Sequence, residues 1–130
     1  LMERGRVDWT LGWRQLPAGG ATAEGWLAHF GEAAAPAADW LGRWQQRLGA
    51  EDRAPGALAR MLRAANPALI PRNHQVEAAL AAATDAQDLQ PFERLLAAVR
   101  RPFDEAPEHA ALTEPAPQAF TSGYRTFCGT

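Results

Sequence analysis

Arg72, Asn73 and His74 stand in three consecutive positions just after Pro71, placing a guanidinium, an amide and an imidazole together. Pro71 has the fixed φ that suits the first turn of a helix, so the trio is expected on that turn, where free amides and the helix dipole favour negative charge. Two chemistries fit: anion binding, or a polar corner that holds backbone carbonyls across a turn. The trio lacks the glycines and lysine of a phosphate loop, which favours the polar corner. His74 and Glu77 are spaced i, i+3 as in metal-binding helices, but His29 and His109 lie in unrelated contexts, so no metal site is expected. Ser122, the only serine, sits among prolines without a nearby base, and no nucleophile elbow or Gly-rich phosphate loop occurs. No catalytic residue is therefore expected in this chain. Cys128, the only cysteine, excludes an internal disulfide framework and a Cys-based metal cage. Its thiol is reactive if exposed on a mobile arm and inert if buried.

The elements that must position these residues follow from caps and periodicity. Asp8 caps a short helix with Trp9, Leu11, Trp13 and Leu16, closed by Pro17 and Gly19-Gly20. Thr22 caps the next, with Trp26, Leu27 and Phe30 as its apolar face and Gly31 near its end; the Ala-rich stretch through Pro36 reads as a loop. Asp39 then begins a helix with Trp40, Leu41, Trp44 and Leu48 on one stripe, stopped by Gly49. Residues 51–56 form a charged linker. Leu58, Met61, Leu62 and Ala65 recur at i, i+3, i+4 and i+7 up to Asn66-Pro67, where the proline pushes Asn66 out of helical dihedrals. Beyond the corner, Val76, Ala79, Leu80 and Ala83 continue the pattern to about Thr84. Asp88 caps a last helix whose core stripe is Phe92, Leu95, Leu96 and Val99.

From Pro102 onward the periodicity is lost, and prolines at 102, 107, 115 and 117 argue against a regular element. No alternating β pattern occurs. The chain reads as all-α, a small antiparallel helical assembly over 1–101 with an extended Pro-rich C-terminal arm over 102–130. A chain of 130 residues can bury roughly two thirds of its unfolded surface, enough for a modest core. The net charge of −2 and the tail acids Asp104, Glu105, Glu108 and Glu114 against Arg125 argue against nucleic acid. There is no apolar run near the ~20 residues of a membrane span and no signal peptide, so a soluble, cytoplasmic protein with no membrane partner is expected. The opening Leu1-Met2-Glu3 suits a downstream part of something longer.

All five tryptophans fall in the first 44 residues. Core packing is the first expectation; a binding face is the alternative, because short separated helices carrying Trp9, Trp13 and Trp26 outrun the cover a domain this small provides.

Several stretches together resemble the C-terminal part of the selenoprotein O (SelO) family of kinase-like protein adenylyltransferases: DWTLGWRQL at 8–16, the Trp40/Trp44 helix, NPALIPRNH at 66–74, RPFDEAPE at 101–108 and YRTFCGT at 124–130. The resemblance implies a parent enzyme with a kinase-like fold that binds ATP and Mg²⁺ and transfers AMP to Ser, Thr or Tyr hydroxyls of target proteins. Its catalytic residues would lie upstream of Leu1, and this segment would buttress the kinase-like lobe. Cys128 would occupy a place where many members carry selenocysteine or cysteine, and would form a reversible disulfide with a cysteine near the kinase-like active site. The competing reading is a stand-alone helical interaction module with a Trp-rich binding face.

Overall fold

The computed structural model describes residues 1–17, 22–54 and 56–125. These residues are all-α, with no strand among them. The chain forms two compact units, Leu1–Ala68 and Leu69–Thr130.

In the first unit, Asp8 follows a hydrogen-bonded turn over residues 2–6 and opens α1 (Trp9–Arg14) by accepting the Leu11 amide at 2.9 Å. Thr22 opens α2 (Ala23–Ala28) in the same way through Gly25. A 3-10 turn at Gly31–Ala33 follows, entered through Gly31 at φ +51°, a left-handed conformation that favours glycine. α3 (Ala34–Gly49) then begins five residues before Asp39 and includes the stretch expected as a loop. Alanine has the highest helix propensity, and Pro36 falls in the first turn, where its missing N–H needs no acceptor. α4 (Ala57–Ala65) ends at Asn66, which is extended before Pro67 as the proline demands. The core is Leu16, Trp26, Phe30, Ala37 and Leu41, with Trp13, Trp40, Trp44 and Leu62 half-buried against it.

In the second unit, α5 (Asn73–Asp85) and α6 (Gln90–Val99) pack on each other through Ala79, Leu95 and Ala98. Ala86 and Asp88 both donate their amides to the Ala82 carbonyl, with Gln87 in the left-handed region at φ +52°, so the chain reverses within four residues. Asp88, expected as the cap, stands one residue before the N-cap Leu89, and its side chain accepts the Gln90 amide at 2.9 Å. Leu80 and Phe92, expected in the core stripes, are 47% and 42% exposed. Alanines at the contact cover a narrow stripe, and two helices alone leave large side chains at its edge in water.

The tail also departs from the expectation of no regular element. A 3-10 turn at Pro107–His109 leads into α7 (Ala110–Thr113), and α8 (Gln118–Gly123) follows Pro117. Proline is disfavoured inside helices but suits their starts, and Pro107 and Pro117 stand at starts. Among the described residues no helix is long and apolar enough to cross a membrane.

Candidate functional site

The trio at the corner is spread over three environments. Arg72 is the N-cap of α5, extended at φ −96° and ψ 132°, and its side chain is buried. The helix therefore starts at Asn73 rather than at Pro71, because proline fixes its own φ and restricts Ile70 but leaves Arg72 free to adopt an extended N-cap. Asn73 is exposed. His74 is half-buried and meets Phe120 edge-on, with ring centres 5.8 Å apart.

A residue that sequence reasoning passed over closes the end of α4. Arg14 Nη1 donates to the Arg63 carbonyl at 2.8 Å and the Asn66 carbonyl at 2.7 Å. Helix C-termini leave carbonyls unpaired, and a guanidinium is well suited to them. Only its place in the last turn of α1 could have drawn attention to Arg14.

His74 belongs to a second cluster, in which α8 lies against the first turns of α5. Phe120 stacks on Tyr124 at 4.7 Å, and the Tyr124 hydroxyl donates to Glu77 Oε1 at 3.0 Å. Gln75 Nε2 donates to the Ala111 carbonyl at 2.9 Å. The hydrogen bond to Glu77 raises the Tyr124 pKa above its usual value, with desolvation and the Glu77 charge adding to it. Glu77, one half of the i, i+3 pair with His74, is thus engaged by tyrosine. No group of three or more His, Cys, Asp or Glu side chains among the described residues stands together as a metal site. Cys128 lies outside the described residues.

The third feature is a tryptophan ladder in the first unit. Trp9 meets Trp13 edge-on at 5.7 Å, Trp13 meets Trp40 at 6.1 Å, and Trp40 stacks on Trp44 at 6.1 Å. Trp26 is fully buried, 4.5 Å from Phe30 and 5.8 Å from Trp40, and its indole N–H donates to the Gly12 carbonyl at 2.8 Å. Trp9, by contrast, is 66% exposed. Trp9, Trp13, Trp26 and Trp40 wall a cavity of about 370 Å³, whose remaining lining is Leu1, Met2 and Glu3. The tryptophans therefore divide: one end of the ladder is core and the other is an open aromatic surface.

No family model matches the chain, and no solved structure does. Among curated proteins it is similar to several named protein nucleotidyltransferase YdiU. It is 50% identical over 129 residues to that of Cereibacter sphaeroides, covering 99% of this chain and 25% of the relative. To that of Rhizobium meliloti it is 42% identical over 132 residues, covering 100% of this chain and 27% of the relative. To that of Methylorubrum extorquens it is 53% identical over 93 residues, covering 70% and 18%. The chain is thus an all-α segment related to protein nucleotidyltransferases, spanning about a quarter of the length of the curated relatives it matches. The similarity to these members of the SelO (YdiU) family runs over nearly the whole chain.

Proposed function

We propose that the chain is the non-catalytic C-terminal part of a SelO-type protein adenylyltransferase, which transfers AMP from ATP to Ser, Thr or Tyr hydroxyls of proteins. The observation that carries the reading is the identity of 46% along 99% of the chain to a relative named a protein nucleotidyltransferase. ATP and Mg²⁺ would be held by the kinase-like lobe upstream, and the helices described here would buttress that lobe.

The same proposal gives Cys128 a redox role. In that reading Cys128 forms a reversible disulfide with a cysteine near the kinase-like active site. Joining two thiols releases two protons and two electrons, which a peroxide accepts as it is reduced to water or an alcohol. The reaction is tested by incubating the full-length protein with Mg²⁺, a protein substrate and ATP labelled at the α-phosphate. Labelled AMP on protein is expected, and its absence refutes the transferase reading. Activity indifferent to oxidant in the wild type and in Cys128→Ser refutes the redox role.

A further inference from the structure

We infer that the tryptophan-walled cavity is the seat of the stretch of polypeptide immediately preceding Leu1 in a protein of the relatives' length. The inference rests on reading the chain as a segment of a longer transferase. Relatives run to about four times the matched length, so most of such a protein lies outside the residues described here.

The cavity offers apolar chemistry at its mouth. Trp9 is 66% exposed and Trp13 and Trp40 are half-buried, while Glu3 is the one ionisable side chain among the described lining residues. Large aromatic surface left in water is unfavourable by about 25 cal/mol for each Å² that a partner could cover. The fitting occupant is a short apolar peptide stretch rather than a charged one.

Geometry selects which peptide. Leu1 itself lines the cavity, so a residue before it is tethered beside the cavity. The entry is held in place: the amides of Gly5, Arg6 and Val7 donate to the carbonyls of Leu1, Glu3 and Met2 at 3.1, 3.1 and 3.0 Å. Met2 packs so closely over Gly12 that a Cβ there would stand 2.8 Å from its Cε. Each extended residue before Leu1 reaches about 3.5 Å further. A segment tethered at the rim acts at an effective concentration of mM or more, against which a diffusing ligand or a second copy must compete.

The test is photo-crosslinking in the full-length protein with p-benzoylphenylalanine in place of Trp9. The dominant product is expected to be an internal cross-link to a residue within about ten positions before Leu1. Cross-links mainly to a second copy, to another protein or to no peptide would overturn the inference. As an independent readout, Trp9→Glu in the full-length protein is expected to speed proteolytic cleavage in that preceding stretch about tenfold, with Trp9→Phe near the wild-type rate; equal rates in all three would overturn it as well. Neither readout depends on ATP. A cross-linked but inactive protein therefore refutes the transferase reading and leaves the docking intact, and an active protein without the cross-link does the reverse.

Discussion

Trp26→Phe is the substitution whose cost the structure defines best. The indole N–H donates to the Gly12 carbonyl at 2.8 Å, near the C-terminal end of α1, and both residues are buried. Phenylalanine keeps an aromatic ring beside Phe30 and Trp40 but has no donor. An unpaired buried carbonyl costs roughly 1–3 kcal/mol. Weakened packing against rings now at 4.5 and 5.8 Å adds a fraction of the ~0.5–1.5 kcal/mol that an aromatic pair contributes. The sum is about 1–4 kcal/mol. For a unit of the size of Leu1–Ala68, each kcal/mol lowers Tm by about 4–8 °C, so a fall of about 4–30 °C is expected. Far-UV circular dichroism of the melting chain measures it, with Trp9→Phe at an exposed position as the control. A fall of less than about 4 °C would refute the buried hydrogen bond from the Trp26 indole to the Gly12 carbonyl.

Arg14→Ala, which frees the Arg63 and Asn66 carbonyls, is expected to destabilise by about 1.5–3 kcal/mol in urea unfolding, with no change in Mg-ATP binding by the full-length protein. Of the residues at the corner, Arg72→Ala is expected to lower the melting temperature clearly because Arg72 is buried, whereas Asn73→Ala at an exposed position should stay within about 0.5 kcal/mol. Tyr124 is the only tyrosine, so absorbance near 295 nm titrates it alone; its midpoint is expected above the usual value of about 10 and should fall towards it in Glu77→Ala. A raised folded pKa means the folded chain holds this proton more tightly, so the associated stability is complete below pH ~10 and is lost as pH rises through the folded value.

What sequence could reveal was set by the range of each interaction. Asp8 and Thr22 were legible because a cap acts on an amide three residues away. The break at Asn66-Pro67 was legible because proline acts on its neighbour. The Ala-rich start of α3 was read as a loop, although alanine favours helix and Pro36 lies in the first turn, where proline is tolerated. Short turns at Pro107 and Pro117 escaped for a related reason: four to six residues are too few to display a period. Leu80 and Phe92 share the helical period of core residues, but which side of the stripe is covered depends on a partner helix that periodicity does not specify. The Arg14 and Tyr124 contacts span 52 and 47 residues, beyond any local signal. The tryptophans were anticipated as core or as a binding face; Trp26 is core and Trp9 is exposed.

The decisive comparison is AMP transfer from labelled ATP to protein by three preparations: the full-length protein, the portion preceding Leu1, and the 130-residue chain. Transfer is expected from the full-length protein, reduced transfer and a lower melting temperature from the preceding portion, and none from the chain. Transfer by the chain, or a preceding portion as active and as stable as the whole, would contradict the assignment of these helices as the non-catalytic support of a transferase.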